Sequence, residues 1–230
     1  MANYNFSTES AENYEQKCLC VLVLDTSGSM IGQPIAELNQ GLIDFYEEIE
    51  GDETTSQRLE IALISFNTTS QLVQEPALVE NVAIPELKAG GCTAMVSALK
   101  DAIQLVEDRK SWYKSTGQKY YRPWIILMTD GEPTDAQSEV DSLSQKIKMD
   151  AENKRYVFLP IGVEGANMNI LKELQGTIPP MKLKGTRFSA FFKWLSASMG
   201  SVVKADMGEK VNLSAGSDSW MDEFFTIDNQ

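Results

Sequence analysis

Residues 25 to 29 read Asp25-Thr26-Ser27-Gly28-Ser29, placing a carboxylate and two hydroxyls at alternate positions. In an extended or loosely turning segment, residues two apart point the same way. Asp25, Ser27 and Ser29 can therefore converge on one point, with Gly28 letting the backbone bend between the hydroxyls. One carboxylate with two neutral hydroxyl oxygens is a hard-oxygen set, suited to Mg²⁺ or Mn²⁺ rather than to a soft metal. The plainer reading of the same residues is a polar turn whose side chains bond their own backbone.

Two other stretches offer oxygen ligands: Gly90-Gly91-Cys92-Thr93 and Thr129-Asp130-Gly131. Each has a plain explanation as well, Thr93 as the N-cap of a helix and Asp130 as the stabiliser of a turn. Glu132 and Asp135 flank the second stretch, where they tune the site or, the favoured reading, only shape the loop and the helix start. The chain has no histidine, which excludes a Ser-His-Asp triad, a histidine general base and histidine-ligated zinc.

The elements that must position these loops follow from the hydrophobic pattern. Cys18 to Leu24 is an unbroken apolar run ending on Asp25, which suits a strand buried on both faces of a parallel sheet. Pro34 suits a first helical position, and Ile35, Leu38, Leu42, Phe45 and Ile49 follow at helical spacing. Leu59 to Phe66 reads as a second strand and Gln71 to Gln74 as a short edge strand, with 75–86 a connecting loop. Val96, Leu99, Ile103 and Val106 mark a long helix after Thr93, and Trp124 to Thr129 is another apolar strand ending on a carboxylate. Thr134 and Gln137 have the spacing of a capping box for the next helix. Tyr156 to Ile161 and Met181 to Leu183 read as strands, and Met168 to Leu174 and Phe188 to Met199 as helices. This alternation predicts an α/β domain with a largely parallel sheet. In such sheets ligands sit beyond the carboxyl ends of the strands, where the strand order reverses, and all three oxygen-bearing loops fall at that end.

The 230 residues are 43% hydrophobic, enough for one domain with a sizeable core. A net charge of −13 argues against nucleic acid, whose binding rests on cationic side chains, and would concentrate a divalent cation locally. No apolar stretch is long enough to span a membrane, and the first residues lack a secretory pattern. Three cysteines make neither a disulfide framework nor a zinc site, so a reducing, cytoplasmic setting is expected. Residues 1–16 read as an unpatterned extension, 17–205 as the domain, and 206–230 as an acidic, aromatic tail. The tail joins Asp218, Asp222, Glu223 and Asp228 to Trp220, Phe224 and Phe225. It reads as a self-packed terminus or as a segment that offers a carboxylate to the metal in competition with a partner.

With the three stretches taken in order, the sequence over about residues 17 to 200 resembles the von Willebrand factor A domain. That family's metal-ion-dependent adhesion site is D-x-S-x-S, then a Thr, then an Asp. The resemblance implies a three-layer Rossmann-like fold, with a mainly parallel central sheet, an antiparallel edge strand and helices on both faces. It also implies that Ser27, Ser29 and Thr93 ligate Mg²⁺ (or Mn²⁺) through hydroxyl oxygens, with Asp25 and Asp130 holding it largely through water. Within the family the chain is similar to bacterial intracellular TerY-type proteins linked to tellurite resistance. The similarity lies in Gly32-Gln33-Pro34-Ile35 after the first motif, in Thr129-Asp130-Gly131-Glu132-Pro133-Thr134-Asp135, and in Phe191-Phe192-Lys193-Trp194-Leu195-Ser196.

The implied function is a non-catalytic, Mg²⁺-dependent protein-interaction module whose partner supplies an Asp or Glu carboxylate. A kinase or phosphatase of the same stress system is the implied partner. The competing class is a phosphotransferase or phosphatase with Asp25 as nucleophile. That class needs a second carboxylate two residues on, where this chain has Ser27, and a cation to steady phosphoryl charge, which none of the three loops adjoins. Neither glycine-rich nucleotide-binding pattern occurs.

Overall fold

The computed structural model describes residues 4–10, 13–130, 132–163, 165–205, 210–211 and 227–228. Strand β1 (Cys18–Asp25) is buried along its whole length, because its alternating side chains feed two separate cores. Cys18, Cys20, Leu22 and Leu24 enter one, and Leu19, Val21 and Val23 the other. Strands β2 (Leu59–Phe66), β3 (Ser70–Leu78), β4 (Trp124–Thr129), β5 (Val157–Gly162) and β6 (Met181–Lys182) complete a six-stranded sheet in the order β3-β2-β1-β4-β5-β6. Every pairing is parallel except that of β2 with the edge strand β3.

Helices α1 (Gln33–Glu50), α2 (Glu53–Arg58) and α6 (Phe188–Lys204) cover one face. The aromatic side of α6 packs there, with Phe192 centred 5.4 Å from Phe45. Helices α3 (Met95–Thr116), α4 (Gln137–Glu152) and α5 (Met168–Leu174) cover the other. From β1 the chain builds outward to β2 and β3, then crosses back through α3 to β4 on the far side of β1. The strand order therefore reverses between β1 and β4, and the carboxyl ends of these two strands are where a sheet of this kind holds a ligand.

Several elements differ from the sequence pattern for identifiable reasons. The edge strand runs on through Glu75 and Pro76 to Leu78, although Pro cannot donate to a ladder. Pairing shifts between Leu63–Gln74 and Ile61–Ala77, so Glu75 and Pro76 together oppose Ala62, a bulge that frees the proline from ladder duty. Helix α1 starts one residue earlier than Pro34, and α6 continues five residues past Met199. No capping box forms at Thr134: α4 begins with Ala136 as N-cap and makes no side-chain capping bond. The described part of the N-terminal segment lies against the domain. Phe6 is buried, and the Tyr4 amide donates to Asp108 at 3.0 Å. Of the tail, Lys210–Val211 pair with Ile227–Asp228 in a short antiparallel ladder. Trp220, Phe224, Phe225, Asp218, Asp222 and Glu223 lie outside the described residues.

Candidate metal-binding site

Parallel register sets Asp25 level with Phe66 of β2 and one step beyond the Leu24–Met128 pairing with β4. Asp25 and Thr129 thus end neighbouring strands side by side. The Asp25 side chain is fully buried. Its Oδ1 accepts the Ser27 amide at 2.8 Å, and its Oδ2 accepts the Thr129 hydroxyl at 2.5 Å. Burial pushes this carboxyl above its ordinary value, against the pull of the hydrogen bonds from Thr129 and Ser27, and nearby Asp130 adds to the rise. A cation beside it would act in the opposite direction.

From Asp25 a string of polar groups leads outward. The Ser27 hydroxyl, still buried, lies 3.0 Å from that of exposed Ser29, and Ser29 donates to Asp130 Oδ1 at 2.8 Å. The first loop and the loop after β4 are therefore in contact, 101 residues apart in sequence.

The loop before α3 is pinned by backbone bonds against the first loop and against the turn between β2 and β3. The Gly90 amide donates to Thr26 O at 2.8 Å, the Gly28 amide to Gly91 O at 3.0 Å, and the Ala94 amide to Asn67 O at 2.7 Å. Gly91 has φ +85°, and a Cβ there would sit 2.4 Å from Thr68 Oγ1, so only glycine fits this crossing. Thr93 is 7% exposed. It does not cap α3, whose N-cap is Ala94. Its hydroxyl makes no hydrogen bond among the described residues.

Two residues that the sequence pattern assigned elsewhere hold this loop from the other side. Thr134 donates both its amide, at 3.0 Å, and its hydroxyl, at 3.2 Å, to the carbonyl of Thr93. Asp135 Oδ2 accepts the amide of Val96 in the first turn of α3 at 3.0 Å. Asp135 does shape a helix start, but that of α3 rather than α4. Glu132 accepts from Asn167 Nδ2 at 2.7 Å, joining the loops after β4 and β5. Thr129 as the partner of Asp25 is the other residue the pattern missed. Its signal is its place as the last residue of a strand that pairs with β1.

Among the described residues no three His, Cys, Asp or Glu side chains gather as a metal cluster. The five expected residues instead offer two carboxylates and three hydroxyls, an all-oxygen set, with the Thr93 hydroxyl left unbonded among the described residues. That chemistry fits Mg²⁺ or Mn²⁺ and no soft metal. A cleft of about 410 Å³ near the opposite end of β2, bordered by Glu60, Arg109 and Trp112, touches none of the five.

Comparison with known proteins agrees with this fold. The family model of the von Willebrand factor type A domain matches residues 20–189. An uncharacterised protein of Synechocystis sp. is 36% identical over 123 residues, half of this chain and 25% of its own length. The human inter-alpha-trypsin inhibitor heavy chain H4 is 29% identical over 155 residues, 62% of this chain and 15% of its own. The chain thus spans a quarter or less of the relatives it matches. Among solved structures, the pilus adhesin SpaC from Lactobacillus rhamnosus GG superposes with TM-score 0.62 at 12% identity, covering 82% of this chain and 31% of the adhesin. The VWA domain of SpRpn10 gives 0.54 at 10% identity, covering 78% of this chain and 95% of its own. At such identities the superpositions speak to the fold. No described helix is long and apolar enough to cross a membrane.

Proposed function

The chain belongs to the von Willebrand factor type A domain family, and we propose that it is a non-catalytic protein-binding module that works through Mg²⁺ or Mn²⁺. The observation that carries this reading is the polar string from Asp25 through Ser27 and Ser29 to Asp130, with the unpartnered Thr93 hydroxyl on the adjoining loop. Ser27, Ser29 and Thr93 would hold the cation directly, and Asp25 and Asp130 through water. So held by neutral oxygens, the cation keeps charge and coordination to spare for a carboxylate oxygen from a partner's Asp or Glu.

The chain's own residues do the positioning. Asp25 orients the Ser27 amide and is itself fixed by Thr129. Ser29 bridges to Asp130, so the hydroxyl and the carboxylate at the surface are set relative to each other before any ligand arrives. The same contacts argue against Asp25 as a nucleophile. An attacking carboxylate needs an oxygen facing substrate, and Asp25 is fully buried and held in place by Ser27 and Thr129. The resemblance to TerY-type proteins supports a bacterial intracellular stress or tellurite-resistance system as its setting, with a kinase or phosphatase as the partner.

Calorimetric titration with Mg²⁺ and Mn²⁺ tests the reading. One saturable site is expected in the wild type and none in Asp25→Ala. Equal binding by the variant, or turnover of a generic phosphate ester that Asp25→Asn abolishes, would overturn it.

A further inference from the structure

We propose that Thr134 and Asp135 are positioning residues for Thr93, forming a clasp through which the loop that carries Asp130 places the hydroxyl on its neighbour. The inference rests on the metal-site reading above. It comes from how α3 begins. The first amides of a helix have no partner within it and need one from outside. The N-cap of α3 is Ala94, which has no side-chain oxygen to give. Val96 obtains its partner from Asp135, 39 residues further along the chain. A carboxylate at this position also faces the positive end of the helix dipole.

Thr93 is gripped in the same way. Its carbonyl receives two hydrogen bonds from Thr134, one from the amide and one from the hydroxyl. Three bonds from two consecutive residues therefore bracket Thr93 at its own carbonyl and three residues on. The cost is visible in α4, which starts immediately afterwards with no side-chain cap. Thr134 had the right spacing to cap it and serves Thr93 instead. Of the five candidate ligands, Thr93 has the one hydroxyl with no hydrogen bond among the described residues to orient it, so its place is set by its backbone. Outer contacts of this kind typically change metal affinity by about 10–100-fold when removed.

The test is Mn²⁺ affinity of the full chain for the wild type, Asp135→Ala, Asp135→Asn, Thr93→Ala and the double variant Asp135→Ala/Thr93→Ala. It is read together with hydrogen exchange of the Val96 amide in metal-free protein. Asp135→Ala is expected to bind about 10–100-fold more weakly and to exchange faster at Val96. Asp135→Asn should keep most of the affinity, because an amide oxygen can accept the same bond. The double variant should bind no more weakly than Thr93→Ala alone, since Asp135 acts through Thr93. Losses that add in the double variant would make Asp135 a participant in its own right and overturn the positioning role, as would unchanged affinity in Asp135→Ala. If Asp135→Ala does not fold, Thr134→Val against Thr134→Ser poses the same question, with loss expected only in the former. Absence of Mn²⁺ binding by the wild type would overturn the metal reading, and the positioning role with it. Binding that ignores the clasp variants would overturn the positioning role alone.

Discussion

Replacing Arg109 with methionine should cost this domain about 3–5 kcal/mol, as expected for breaking a buried ion pair by removing one partner. Arg109 and Glu60 are each 3% exposed. The guanidinium Nε and Nη2 each donate to a different Glu60 oxygen at 2.9 Å, and the Tyr113 hydroxyl donates to Glu60 Oε2 at 2.6 Å. Glu9 of the N-terminal segment takes Nη1, and the guanidinium lies 4.1 Å from the centre of the Trp112 ring. Deleting the cation leaves Glu60 buried with the Tyr113 hydroxyl as its remaining donor, and frees Glu9 from the surface it anchors.

The loss is a large share of the roughly 5–15 kcal/mol available to a typical domain. At about 2–4 °C per kcal/mol for a chain of this size, the midpoint should fall by about 6–20 °C. Replacing both charges, in Glu60→Met/Arg109→Met, should recover part of it, because apolar side chains of similar volume carry no desolvation cost, while the buried Tyr113 hydroxyl loses its acceptor. Urea unfolding followed by circular dichroism measures all three proteins. A single variant that loses less than about 1 kcal/mol, or a double variant no more stable than the single, would refute the reasoning. The pair lies toward the end of the sheet opposite the candidate metal site, so folded variants should keep their Mn²⁺ affinity.

Thiol accessibility gives a second prediction: burial pushes Cys18 up to about 12 and Cys20 well above its ordinary value, while Cys92 is exposed. An aromatic disulfide reagent should titrate one thiol in native protein and all three after denaturation. A third concerns acid. The hydrogen bond from Lys204 holds Asp52 down to about 2, helped by the Thr55 amide that it caps. A depressed carboxylate contributes stability that is present above its unfolded value near 4 and lost as pH falls through 2. The side chain is 40% exposed, so screening limits the effect to about 1 kcal/mol or less. Asp52→Asn should lose that increment at pH 6 and match the wild type near pH 2, as read by denaturant midpoints.

The strands that carry the site were legible because they are apolar on both faces and stop on a polar residue. Cys18 to Asp25 and Trp124 to Thr129 appear in the structure with those bounds. Contacts between loops were not legible. Thr134 and Asp135 looked like the start of their own helix, since a capping pattern is written in local spacing while their partners, Thr93 and Val96, are set by the crossover through α3. Pro76 looked like a strand breaker, but a bulge on an edge strand makes its missing amide harmless. Residues 1–16 looked unpatterned because what docks them is one aromatic ring, Phe6, set into the core beside Arg109, and one carboxylate, Glu9, on the same arginine, not a periodicity. The grouping of Asp25, Ser27, Ser29 and Asp130 was legible from the rule that parallel strands gather their carboxyl ends. The hydrogen bond from Thr129 to Asp25 depends on register, which no local pattern states.

The most direct measurement is anomalous diffraction from crystals grown with Mn²⁺. The account of the site requires a single strong peak at about 2.0–2.2 Å from the hydroxyl oxygens of Ser27, Ser29 and Thr93, with Asp25 and Asp130 reaching it through water. A peak elsewhere, or none at these three hydroxyls at saturating Mn²⁺, would contradict it.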